Sequence, residues 1–238
     1  MAESFGYILD ALPNLLRGAI ITLQLTALSV LMGLIGGTLL GMARLSSVLP
    51  IKIAARVYVD FFRGTPLLVQ IFMIYFGIPA LANGLGFTFA FDRLVAAIMA
   101  LSLNSAAYLA EIVRGGIQSI ERGQWEAAEC IGLGPMQTLR YVVFPQAFRR
   151  MIPPLGNEFI TLLKDTSLVA VIGFEELFRQ GQLIVATNYR AFEIYITVAL
   201  VYLVLNTLSA QVFNFLEHRM DPVQRAKRQK TTVPEPTM

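Results

Sequence analysis

Glu158, Thr161, Lys164, Asp165 and Ser167 stand inside one otherwise apolar stretch, NEFITLLKDTSLVAVIGF, which runs from Asn157 to Phe174. Two carboxylates at this spacing can hold a cation between them, or bind protons or sodium. Positions 158, 161 and 165 are three and four residues apart, so Glu158, Thr161 and Asp165 fall on one helical face, with Lys164 about a third of a turn away. Each charged side chain near the centre of a bilayer costs about 2.5 to 3.5 kcal/mol, so leaving both carboxylates in lipid would cost on the order of 5 to 7 kcal/mol. They must face water or a partner, and a bound ammonium or guanidinium is one. The alternative is a permanent ion pair from Asp165 to Arg63 or Lys164 that only ties helices together. Catalysis has little support. The one histidine, His218, ends the last apolar run beside Arg219; the one cysteine, Cys130, reads as a small buried residue; and metal-ligand spacing is lacking. Neither a catalytic residue nor a metal site is predicted.

A second constellation, FFRGTPLLVQ from Phe61 to Gln70, reads as a helix start within an uncharged run. Thr65 suits the N-cap and Pro66 the first helical position, leaving the N–H groups of Leu67 and Leu68 pointing out of the helix end. At membrane depth such an end must line a cavity, where it would receive a carboxylate. At the cytoplasmic interface it would be an ordinary capped helix, with Arg63 snorkelling.

Membrane helices must position these groups. The 238 residues are 55% hydrophobic and 15% charged, with a mean hydropathy of +0.61, which excludes an ordinary soluble domain. Uncharged runs extend from 18 to 43, 64 to 91, 94 to 110 and 194 to 216; with 157–174 they make five candidate spans of about 20 residues. No Lys or Arg precedes Arg17, so the start lacks the basic region of a cleavable leader and the first span is expected to stay. With the N-terminus outside, Arg44, Lys52 and Arg56, the five arginines from Arg114 to Arg150, and the five basic residues from Arg219 to Lys230 all fall in the cytoplasm. That is 13 of the 19 basic residues, and it sets the orientation. Residues 1–220 read as one transmembrane domain and 221–238, with RAKRQK, as a solvated cytoplasmic tail near anionic headgroups that need not bind nucleic acid. Gly33, Gly37 and Gly41 would admit a neighbouring helix closely, and ANGLG at 82–86 reads as a turn.

The segment 114–151 is too long for a hairpin between spans and too apolar for a linker. Glu126, Ala127 and Ala128 sit on a predicted short helix that Gly132 to Pro135 breaks, a small knuckle able to press into a cleft; an interfacial helix lying on the membrane is the alternative. The spacing Glu126-Ala127-Ala128, then Gly132, then VVFP at 142–145 resembles the EAA signature of permease subunits of ATP-binding-cassette importers. FFRGTPLLVQ and GNEFITLLKDTSL at 156–168 are similar to the polar amino acid permeases of histidine, glutamine, glutamate and arginine importers, so the resemblance covers most of the chain. It implies an all-α integral membrane protein of the type I importer fold, in a bacterial inner membrane. Two permease subunits, identical or different, would form the pathway; a cytoplasmic ATPase dimer carrying ATP and magnesium would dock on Glu126, Ala127, Ala128 and Gly132; and an external binding protein would deliver an amino acid. No cofactor is expected in this chain, which has no GxxxxGK[ST] phosphate loop. The implied solute site takes in Gly64, Thr65, Leu67, Gln70, Glu158, Thr161, Asp165 and Ser167. Two carboxylates favour arginine, lysine or histidine, with glutamine, glutamate and neutral polar amino acids as alternatives. A self-sufficient ion-coupled transporter is the rival class; few spans, no evident internal repeat and the EAA spacing stand against it.

Overall fold

The computed structural model describes residues 2–220, which are helical with no strand among them; the tail expected at 221–238 lies outside the described residues. Helix α1, Ala2–Leu45, carries the first uncharged run and extends it to the N-terminal side. Its glycines meet α4, Arg93–Gln118, with no room for a side chain. A Cβ on Gly37 would lie 2.6 Å from Leu109 Cβ, and one on Gly41 would lie 2.9 Å from the Ala110 carbonyl oxygen. The close approach predicted for this stripe is therefore made, and α4 accommodates it with small residues, being buried at Ala97, Ala100, Ser105, Ala106 and Ala110. Asp92 starts α4 by accepting from the Leu94 and Val95 N–H groups (2.8 and 3.4 Å).

Between them lies α2, Leu49–Gly64, a helix not expected above although Lys52, Arg56 and Asp60 recur at the four-residue helical spacing. Pro50 opens it in the first turn, where a missing N–H is harmless. Val59 and Ala55 are buried, and the Tyr58 hydroxyl donates to the Leu103 carbonyl of α4 (2.9 Å). Tertiary contact thus seats this helix against α4.

Helix α3, Leu67–Gly84, is the second long apolar helix. Its middle widens into a π turn at Met73–Gly77, just before Pro79, which has no N–H to return to the preceding turn. The turn at 82–86 forms as predicted, closed by the Phe87 N–H on the Ala82 carbonyl (2.9 Å), with Gly86 at φ +89°.

Helix α5, Arg122–Cys130, is the predicted short helix with Glu126 to Ala128. Gly132, at φ +83°, ends it while the Leu133 N–H returns to the Ala128 carbonyl (3.1 Å). The chain re-enters helix at Pro135–Gln137, widens into a π turn at Thr138–Val143, and continues as α6, Phe144–Asp165, and a 3₁₀ stretch, Thr166–Ile172. Val113, Ile117, Val143, Ala147 and Met151 form a small core that holds this unit against the end of α4. Helices α7, Leu177–Asn188, and α8, Ala191–Met220, complete the chain.

Among the described residues four helices are long and apolar enough to cross a membrane: Gly6–Leu45, Leu67–Gly84, Arg93–Gln118 and Ala191–Met220. The fifth expected span, 157–174, is helical as far as Ile172, but Glu158, Lys164 and Asp165 keep it outside that set.

Candidate functional site

The break between α2 and α3 builds one wall of the site. Thr65 is extended (φ −119°, ψ 145°), as a residue before proline must be, and it closes α2 instead of capping α3. Its hydroxyl donates back to the Phe61 carbonyl (2.8 Å), so Pro66 stands at the N-cap position, one residue earlier in the helix than the sequence suggests. The consequence predicted for the N–H groups of Leu67 and Leu68 holds: neither finds an acceptor among the described residues, whereas those of Val69 and Gln70 bond to the Pro66 carbonyl (3.0 and 3.2 Å). Two donors are left at the break.

Facing the break across a cavity of about 520 Å³ are Glu158, Thr161 and Asp165 on α6, with Asn104 and Tyr108 of α4 at the side. The volume falls in the range of about 300 to 1,000 Å³ that small-molecule sites occupy. Six of the eight predicted site residues line it: Gly64, Thr65, Leu67, Glu158, Thr161 and Asp165. Among the described residues no Lys or Arg lies within ion-pair distance of Glu158 or Asp165. The permanent pair to Asp165 is thus absent there. Arg63 also lines the cavity but lies against Glu111 (4.0 Å) and over the Tyr108 ring (5.3 Å), and Lys164 lines a separate recess with Phe178 and Tyr195.

Two predicted residues are placed elsewhere. Ser167 lies in that second recess, because two residues past Asp165 the helix has turned more than half way round. Gln70 is buried behind the wall and does not line the cavity. Its side-chain nitrogen donates to the Phe62 carbonyl (2.9 Å), the Thr65 carbonyl (3.0 Å) and the Thr65 hydroxyl (2.9 Å), and its oxygen accepts from Asn104 (3.0 Å). It is a brace for the helix break.

Sequence reasoning missed Asn104 and Tyr108, which sit in the 94–110 run with no charge to mark them. It also missed Glu111, three residues before Arg114, which collects Arg44, Arg114 (2.7 Å) and Arg63 at the edge of the cavity. Glu176 is a further buried carboxylate. It caps α7 at the Phe178 and Arg179 N–H groups (2.9 and 2.7 Å) and accepts from the Tyr202 hydroxyl (2.7 Å). Burial pushes its carboxyl above the usual range, and these donors oppose the shift.

At the knuckle of α5 Glu126, Ala127 and Gly132 are exposed, and Ile131 and Met136 project beside them. Ala128, predicted to be part of the docking face, is buried at 4% exposure and anchors α5 instead.

Comparison with known proteins places these features in context. Residues 33–222 match the family described as binding-protein-dependent transport system inner membrane component. The chain is 44% identical to the glutamine transport system permease protein GlnP of Escherichia coli over 92% of its length and 99% of the relative's. It is 43% identical to the L-cystine transport system permease protein TcyB of Bacillus subtilis, over 88% and 87% of the two chains. Among solved structures, an amino acid ABC transporter crystallised with histidines superimposes with a TM-score of 0.82 at 40% identity, covering 89% of this chain and 96% of that one. The inward-facing methionine transporter MetNI shares the fold, with a TM-score of 0.71 at 24% identity over 87% and 96% of the chains.

Proposed function

The chain belongs to the binding-protein-dependent transport system inner membrane components, among the permease subunits of ATP-binding-cassette amino acid importers, and from that membership we propose that its cavity is the importer's solute site. The observation that carries the reading is the pair Glu158 and Asp165, two carboxylates lining a cavity with no cation of the described residues in an ion pair with them, opposite the helix break at Leu67, whose backbone N–H has no acceptor among the described residues. An amino acid complements that arrangement. Its α-carboxylate takes the Leu67 and Leu68 N–H groups, and its ammonium or side-chain cation lies between Glu158 and Asp165. Arginine, lysine and histidine fit best, since a second cation uses the second carboxylate, and the related transporter solved with histidines supports that class. Glutamine is the second reading, favoured by the 44% identity to GlnP.

An inner-membrane permease of this kind is not itself the ATPase; its family works with a separate ATP-hydrolysing subunit and with a binding protein. In our reading the N-terminus is outside, and residues 157–172 cross the membrane as the fifth span. The ATPases dock on the exposed face of Glu126, Ala127, Gly132, Ile131 and Met136, and a second permease subunit, identical or homologous, completes the pathway. ATP-driven closure of the ATPases then carries the knuckle inward and rocks the helices around a fixed site. A self-sufficient ion-coupled transporter would need none of these partners.

Asp165→Asn in the assembled transporter in proteoliposomes tests the site. A charge-assisted hydrogen bond contributes about 1.5 to 3 kcal/mol, so uptake of L-arginine, L-lysine or L-histidine at low concentration should fall about ten- to hundredfold. Unchanged uptake sinks the assignment.

A further inference from the structure

Asn104 is only 6% exposed, lines the cavity, and is held in one orientation by a chain of hydrogen bonds whose polarity can be followed atom by atom. The chain starts at groups that can only accept. The Phe62 and Thr65 carbonyls are acceptors by nature. The Thr65 hydroxyl has already given its proton to the Phe61 carbonyl (2.8 Å), so it too accepts from Gln70. The end of the Gln70 amide that faces them must be the nitrogen. Its oxygen therefore faces Asn104, and Asn104 must turn its own nitrogen to it (3.0 Å), with the Phe62 carbonyl as a second acceptor (3.4 Å). An amide has two ends. Both Asn104 N–H bonds are thus directed to the helix break, and no donor among the described residues reaches the Asn104 side-chain oxygen.

We propose that the Asn104 side-chain oxygen is a fixed hydrogen-bond acceptor for an N–H donor of the transported amino acid, its α-ammonium, and that Gln70 is the positioning residue that keeps it so. The proposal rests on the cavity being the solute site and adds a specificity element to it. In water Asn104 could rotate to suit either a donor or an acceptor. Here rotation would set its oxygen against the Gln70 oxygen and strand a buried donor, so the site refuses solutes that offer an oxygen in place of the amino group. It selects α-amino acids over desamino and hydroxy acids independently of the side-chain class that Glu158 and Asp165 select. An uncharged acceptor does this without adding a third negative charge to the cavity.

The test uses the full chain purified with its ATPase and without binding protein, so that the permease's own selectivity is read. Tritiated L-arginine and L-glutamine are displaced by their unlabelled forms and by their desamino analogues, guanidinovalerate and glutaramate. The wild type should prefer the amino acid over its desamino analogue, and Asn104→Leu should weaken the amino acid about ten- to hundredfold while leaving the analogue's affinity as it was. Gln70→Leu, which frees Asn104 to rotate, should erode the same preference by a smaller factor. If Asn104→Leu weakens both members of a pair equally, or neither, the proposal is overturned. Asn104→Ser provides the same comparison with a smaller, polar side chain should the leucine variant fail to assemble. Asp165→Asn separates the two levels: lost binding there together with an unchanged preference in the Asn104 variants refutes the acceptor alone, whereas unchanged binding there overturns the site and the acceptor with it.

Discussion

Gly37→Ala perturbs the close contact of α1 with α4 and, through α4, one wall of the cavity. A Cβ at this position would sit 2.6 Å from Leu109 Cβ and 2.9 Å from the Ala106 carbonyl oxygen. Carbon atoms rest at about 3.5 to 4.0 Å, so α1 and α4 must part by about 1 Å. Overpacking of this kind costs about 1 to 3 kcal/mol, from which a helical Gly→Ala exchange recovers about 0.5 to 1 kcal/mol. A net loss of about 1 to 2 kcal/mol is expected. Gly115→Ala on α4 is the control, since nothing lies within 4 Å of its Cβ position; it should be neutral or stabilising. Equilibrium unfolding of the purified chain in mixed micelles, titrated with a denaturing detergent, measures both. Because Asn104 and Tyr108 ride on the same turns of α4, solute affinity should fall in the Gly37 variant as well. Equal stability of the two variants would falsify the close-packing account of the glycine stripe.

Other perturbations separate the remaining elements. Glu111→Gln leaves Arg44 and Arg114 without their shared carboxylate and should destabilise by about 3 kcal/mol. Arg63→Gln, at 4.0 Å and half exposed, should cost under about 1 kcal/mol in the same unfolding assay; a reversed ranking refutes the ordering of the cluster. Gly132→Asp places bulk and charge in the proposed docking contact at a residue with φ +83°. ATP hydrolysis should then proceed without uptake, and normal coupled uptake argues against docking there.

Much of the architecture is legible because the membrane punishes charge: the runs between Arg17 and Arg44, Arg63 and Asp92, and Glu193 and Glu217 correspond to α1, α3 and α8. The acidic face of α6 is legible because the helical period alone sets Glu158 beside Asp165. Direction is harder. Thr65 and Gln70 are recognisable as polar residues at a break, but a one-residue shift of the cap to Pro66 turns Gln70 from the cavity to the wall. The seating of α2 rests on Tyr58 reaching Leu103, a contact with no local mark, and nothing local marks Ala128 as buried. Asn104 is a polar residue in an apolar run, a signal in itself, yet its role depends on Gln70, 34 positions away in the chain.

From Pro135 to Asp165 the backbone winds without interruption, so the exposed Met136 side and the two carboxylates turn about one shaft. Their relation is one of phase. Each residue gained or lost between them would rotate Glu158 and Asp165 by about 100° relative to Met136, while their separation along the chain would scarcely change. The wide turn at Thr138–Val143, ahead of Pro145, already carries such an offset, because a π turn holds one residue more than an α turn. It sets the rotation of the acidic face relative to the exposed Met136 side. Permeases that share both motifs but differ by a single residue between them would need a compensating turn elsewhere on the same shaft.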